Sequence, residues 1–150
     1  MEQSGTRDIL LDQSGLEKLA SDYARTVRSG DIFLLYGSLG SGKSVFIRAF
    51  LRELGVEGNI PSPTFIVNAA YSIGTLEIQH IDLYRLSGSH EELEAYGIEE
   101  ALEGEIVVLI EWADRLSDQC IDDSILIRLE FTEDPMERRV MVDDRRMAGN

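Results

Sequence analysis

The chain has 150 residues, 43% hydrophobic and 28% charged, the composition of one soluble globular domain, too short for a second domain beside a nucleotide-binding sheet. Acidic residues outnumber basic ones 28 to 14, and the net charge of −14 sets most of the surface against nucleic-acid phosphates. The single cysteine, Cys120, excludes an internal disulfide and a thiolate cluster, and the longest apolar runs, Ile32 to Tyr36 and Ile106 to Ile110, fall far short of the roughly 20 residues of a membrane helix.

The opening stretch, "MEQSGTRDIL", shows no secretory pattern, so a cytoplasmic protein is expected. Asp8 to Leu11 predicts a short strand. Ser14 follows as a helix cap with Glu17 placed to complete a capping box, and Leu16, Leu19, Ala20, Tyr23, Ala24 and Val27 recur at helical spacing up to Gly30. "DIFLLYG" reads as a strand buried on both faces, and a second helix from about Lys43 to Leu54 stops at Gly55. "FIVNAAY" and "TLEIQHID", parted by "SIG", predict an antiparallel pair. Ser89 and Glu92 cap a short helix running to about Tyr96 and Gly97, and "EIVVLIEW" is another buried strand. "SILIRLEF" places Ile125, Ile127, Leu129 and Phe131 on one face, and "RRVMVD" pairs with it as a hairpin. The residues from about 144 to 150, "DRRMAGN", are expected to fray as a flexible tail.

Gly37 to Ser44 reads "GSLGSGKS", the G-x-x-x-x-G-K-[ST] pattern, between a buried strand and a helix. Gly37, Gly40 and Gly42 let the backbone curl so that N–H groups converge on an anion, and the helix that follows aims its positive end at the same point. The stretch through Ser38, Leu39, Ser41 and Val45 is therefore a candidate cradle for ATP, with Lys43 reaching the β- and γ-phosphates and the Ser44 hydroxyl on Mg²⁺. The fold class that follows is α/β: one P-loop NTPase domain over residues 1–150, a mixed parallel and antiparallel sheet flanked by helices.

Hydrolysis also requires an acid for the metal and a group that orients water. Glu111 closes the apolar run "VVLIE" and is the candidate metal carboxylate; Asp82 closes the half-polar "LEIQHID" and is the candidate for positioning water or supporting the site, a turn cap being the plainer alternative. Thr64 in "PSPTF" lies where a switch loop would sense the γ-phosphate, although an ordinary rigid turn accounts for it equally well. Trp112, the only tryptophan, is either a core residue or a cover over the site, and His80 reads as structural rather than catalytic. Seven glutamates from Glu91 to Glu105, with no Lys or Arg between them, form either a solvated helical face or a docking face for a basic partner.

Together "GSLGSGKS", "SPTF", "HIDLYRL", "EELEAYGIEE" and "LIEW" resemble, in order and spacing, the bacterial ATPase family of tRNA threonylcarbamoyladenosine synthesis, the TsaE or YjeE type. The resemblance runs from about Gly30 to Trp112 and extends plausibly over the whole chain. It implies a small ATPase that acts on a TsaB–TsaD type transferase heterodimer. That pair modifies the adenosine next to the anticodon, and ATP is used to reset it between turnovers. It reaches tRNA only through these partners and involves no membrane. Carried over, Lys43 and Ser44 take the phosphate and metal positions, Thr64 the switch threonine, Asp82 the acid of "HxDLYR", and Glu111 with Trp112 the "EW" pair, whose acid ligates the metal. The resemblance also brings Gln13, before the first helix, toward the nucleotide. Two departures stand out: Ser38 replaces the family's usual acid, and Ser44 replaces the commoner threonine.

Two other readings share the loop. A small-metabolite kinase would gather phosphoryl charge with an arginine-rich lid, whereas Arg85 and Arg115 are isolated and Arg138, Arg139, Arg145 and Arg146 lie far down the chain. A nucleotide-gated binding module would hold Mg-ATP through Lys43, Ser44 and Glu111 and scarcely hydrolyse it. A GTPase is disfavoured, because no N-K-x-D and no D-x-x-G follow the loop.

Overall fold

The computed structural model of the chain describes residues 5–61, 67–116 and 123–146. In order these form β1 (Gly5–Asp12), α1 (Gln13–Arg25), β2 (Ile32–Tyr36), α2 (Lys43–Leu54), β3 (Asn68–Ile73), β4 (Leu76–Asp82), α3 (His90–Ala95), α4 (Ile98–Glu103), β5 (Val107–Glu111), a single 3-10 turn (Ala113–Leu116), β6 (Ser124–Phe131) and β7 (Glu137–Asp144). All the strands join one sheet in the order β1-β7-β6-β2-β5-β4-β3. Its centre is parallel, with β2 between β6 and β5 and β4 beyond β5, and both flanks turn antiparallel, through β3 on β4 and through β7 and β1 beyond β6. The mixed sheet expected from the sequence is what forms.

The apolar runs of β2 and β5 are continuous because both faces of the central sheet are covered. Phe33, Leu35, Val107 and Leu109 point to the side packed by α1 and α2, while Ile32, Leu34, Val108 and Ile110 join Leu93, Ile98 and Ala101 of α3 and α4 on the other. Phe33 anchors the first layer: its ring lies 5.0 Å from Phe50 on α2 and 5.8 Å, edge-on, from Tyr23 on α1. In β6 and β7 burial alternates more nearly residue by residue, with Ile125, Ile127, Leu129, Val140 and Val142 facing α1 and α2. Phe131, expected on that same inner face, is 52% exposed and lies under the guanidinium of Arg138.

Several boundaries differ from expectation for local reasons. The cap of α1 is Asp12, not Ser14: its carboxylate accepts the Gly15 N–H at 2.8 Å, so the helix begins two residues earlier than expected. The helix stops at Arg25, well before Gly30, because the Arg28 N–H turns to the Asp31 carboxylate at 2.9 Å. Ser89 does cap α3 by accepting from the Glu92 N–H, but the Glu92 carboxylate reaches Ser87 rather than closing the box on Ser89. The first helix of the acidic stretch ends at Tyr96 as expected, and a second short helix that the pattern did not announce, α4, follows Gly97. The expected tail from 144 is held further than anticipated, since Asp144 ends β7, the Arg145 N–H donates to the Ser124 carbonyl, and Arg146 pairs with both Asp31 and Asp144. Cys120 and Thr64 lie outside the described residues.

Candidate functional site

The glycine loop bridges the end of β2 and the start of α2, the strand, loop and helix that a phosphate cradle needs. Two glycines are demanded by its shape. Gly37 has φ +154, and a Cβ there would meet the Ser41 hydroxyl at 2.4 Å and the Leu129 carbonyl at 2.8 Å; Gly42, the helix cap, has φ +118. The Ser41 N–H donates to the Ser38 carbonyl at 3.1 Å and the Phe46 N–H to the Gly42 carbonyl at 3.0 Å, so the turn passes directly into the helix.

Lys43 folds back over this loop. Its ammonium donates to the Gly37 carbonyl and, at 3.1 Å, to the Ser38 carbonyl, and it lies 4.2 Å from the centre of the Trp112 ring. Only 4% of the residue is exposed, and burial pushes its pKa below the ordinary lysine value against the opposing pull of Glu111, Asp82 and Asp114.

The facing wall comes from two strand ends. Parallel pairing sets Asp82 of β4 directly beside Glu111 of β5, both buried. The Ser44 hydroxyl donates to Glu111 Oε1 at 3.2 Å, and His80 Nε2 lies 2.7 Å from Glu111 Oε2. Asp82 accepts the Tyr84 N–H at 2.9 Å, which fixes the turn leaving the sheet, while its own N–H donates to Val67 at 2.8 Å. The strand carrying Asp82 is internal to the sheet, second from its edge. Trp112 follows Glu111 at φ +60, a left-handed conformation that turns its indole between Lys43 and Tyr84, whose ring centre is 5.0 Å away. It is half-buried, packing against the core layer of β5, α3 and α4 while its ring lies against the Lys43 ammonium.

These groups enclose a cleft of about 340 Å³ lined by Leu39, Gly40, Lys43, Ser44, Asp82 and Glu111 among others, with Val45, Arg48 and Trp112 also on its wall. Ser38 opens instead onto a neighbouring cleft of about 380 Å³ behind Trp112. Gln13 stands on the opposite flank, where a third hollow of about 240 Å³ joins it to Gly40, Ser41 and Arg138.

A divalent cation would find few protein ligands here. Among the described residues no three His, Cys, Asp or Glu side chains gather at one point. The Ser44 hydroxyl and the Glu111 carboxylate are hard oxygen donors already in contact at the helix N-terminus, a set that suits Mg²⁺, which takes one or two protein oxygens and completes its shell with phosphate and water.

Three residues escaped the sequence reading. Arg138, set aside as remote, wraps the glycine loop from behind: Nε donates to the Ser41 carbonyl at 3.1 Å and the terminal nitrogens to those of Gly40, Pro135 and Glu137. Only the hairpin fold brings it there, and no local pattern announces it. Arg48 lines the cleft one helical turn after Ser44, a spacing of four that could have found it. His80 was read as structural and lies in the polar cluster at Glu111.

Comparison with known proteins gives the family and the fold of the chain. Residues 10–141 match the family model described as "Threonylcarbamoyl adenosine biosynthesis protein TsaE". The chain is 38% identical to the tRNA threonylcarbamoyladenosine biosynthesis protein TsaE of Rickettsia felis, over 84% of this chain and 73% of that one. It is 32% identical to the protein of the same name from Bacillus subtilis, over 82% of this chain and 74% of the relative. In fold it is similar to the crystal structure of YdiB from Bacillus subtilis, with a TM-score of 0.77 at 24% identity, covering 97% of this chain and 89% of the other.

Proposed function

The chain belongs to the TsaE family of threonylcarbamoyladenosine biosynthesis proteins, and from that premise we propose that it is a Mg²⁺-dependent ATPase that drives a TsaB–TsaD type transferase pair through repeated rounds of tRNA modification. The observation that carries this reading is the Ser44–Glu111 contact, which joins the first turn of the phosphate-loop helix to the acid at the end of a buried parallel strand.

In this mechanism the loop N–H groups of Gly40, Gly42, Lys43 and Ser44 hold the phosphates of ATP, and the Lys43 ammonium exchanges its contacts with Gly37 and Ser38 for β- and γ-phosphate oxygens. Ser44 and Glu111 would hold Mg²⁺, whose charge would offset that of the phosphates. Asp82, buried one strand over from Glu111, accepts a hydrogen bond from the attacking water and aligns it; Thr64 senses the γ-phosphate. Gln13 approaches the nucleotide from the start of α1, beside Gly40 and Ser41. Trp112 covers Lys43 and excludes water from it. The phosphoryl group passes to water, and the change at the site passes to the protein partner.

The charge of −14 supports contact with tRNA only through the transferase pair, and the reading places the chain with that pair in the cytoplasm. No described helix is long and apolar enough to cross a membrane. A metabolite kinase is less well supported. Arg138 does reach the loop but engages backbone carbonyls, and Arg48 is the one arginine on the wall of the cleft among the described residues. Phosphate release from ATP, followed with and without the transferase pair, tests the proposal: stimulation by the pair is expected, and absence of both association and stimulation contradicts it.

A further inference from the structure

His80 is 2% exposed, and its position on β4 points to the same interior as Ile78, where packing alone would be served by an apolar side chain. Its imidazole is instead divided between two situations. Nδ1 has no hydrogen-bond partner among the described residues, and Nε2 lies 2.7 Å from Glu111 Oε2. The tautomer that suits both carries its proton on Nε2, so that nitrogen donates to the carboxylate and Nδ1 keeps only a lone pair. His80 stands opposite Leu109 in the register, two residues short of the Asp82–Glu111 pair, so the contact runs diagonally across the two strands toward the cleft.

The consequence lies in how Glu111 is held. A carboxylate at a strand end rotates about its last bond unless an oxygen is fixed, and here Oε2 is fixed by His80 while Oε1 takes the shorter contact with Ser44, at 3.2 Å. Groups that hydrogen-bond to a metal ligand commonly set its orientation and its affinity for the ion. We propose that His80 is a positioning residue, which by donating from Nε2 to Glu111 Oε2 presents Oε1, together with the Ser44 hydroxyl, to the magnesium that accompanies the nucleotide. This rests on the reading above that Ser44 and Glu111 hold the ion.

The test measures binding rather than turnover. Affinity for a non-hydrolysable ATP analogue is determined by calorimetry in Mg²⁺ and in EDTA, for the full chain and for His80→Gln, His80→Leu and His80→Asn, with thermal unfolding recorded for each. Glutamine reaches Glu111 with an N–H, leucine fills the space without a donor, and asparagine is polar but too short. Affinity in EDTA is expected to be alike in all four. The gain on adding Mg²⁺ is expected to be kept in the glutamine variant and to fall roughly tenfold or more in the leucine and asparagine variants. A full gain in either of these when folded overturns the inference, as does a glutamine variant no better than leucine; if leucine does not fold, asparagine decides. An unsubstituted chain that gains nothing from Mg²⁺ overturns the metal assignment itself, an outcome distinct from the others.

Discussion

Ser44 and Glu111 are 67 residues apart in sequence, and the Ser44 hydroxyl donates to the Glu111 carboxylate at 3.2 Å across the end of the sheet. The contact ties the phosphate-loop helix to the end of β5, and the proposed chemistry depends on both groups. Replacing Glu111 with Gln keeps the size and removes the charge that a cation needs. ATP turnover in the presence of the partner pair should fall by at least about a hundredfold, as measured by phosphate release. Ser44→Ala should raise the Mg²⁺ concentration needed for half-maximal turnover while leaving the melting temperature close to that of the unsubstituted chain.

Lys43 is a buried cation, and its fate with pH can be given a sign. Burial lowers its folded pKa below the ordinary 10.5, so the folded state releases this proton at lower pH than the unfolded chain does. Where the charge is retained in both states its burial costs stability. That cost fades as pH rises through the lowered folded pKa toward 10.5. Lys43→Met should therefore be more stable than the unsubstituted chain at pH 7, with the gap narrowing near pH 10 in denaturant titrations, and should lose nucleotide binding at every pH.

Trp112 is the only tryptophan, and its ring centre is 4.2 Å from the Lys43 ammonium. If phosphates draw the ammonium away, the indole loses a cation over its face. Adding ATP and Mg²⁺ should change the intrinsic fluorescence of the protein, and the change should be absent in Lys43→Ala.

Arg138 spends its donors on four backbone carbonyls, two of them in the glycine loop. Removing it leaves those peptide units less firmly oriented, and the N–H groups on their other edges with them. Arg138→Ala should weaken nucleotide binding about tenfold and cost about 1–3 kcal/mol of stability in urea titration. Arg138→Lys, which keeps the charge but loses the planar fork, should recover little of the affinity.

The parts of this site that were legible in the sequence are those fixed by local pattern. "GSLGSGKS" states its own loop, and the uninterrupted apolar runs of β2 and β5 mark strands covered on both faces, which placed Glu111 at a strand end. Illegible were relationships made by register and by the hairpin. That Asp82 lies directly beside Glu111 depends on the pairing of β4 with β5, and the arrival of Arg138 behind the loop depends on the order β7-β6-β2. The contact of His80 with Glu111 was equally hidden, because a histidine in a strand has no spacing that reveals a diagonal partner on the next strand. The capping error at α1 was a competition between Asp12 and Ser14, two residues that can each cap; the strand leading into the helix brings Asp12 to the first-turn N–H groups.

In the proposed function, ATP use by this chain lets its partner pair work repeatedly. This is tested most directly by counting threonylcarbamoyl groups placed on tRNA per transferase heterodimer, with the activated threonylcarbamoyl donor in excess. With the unsubstituted chain and ATP the count should climb far past one per heterodimer. With Glu111→Gln, which should still assemble, it should stall near a single round. Equal multiple-round modification with the Glu111→Gln variant, or with no chain at all, would contradict the account.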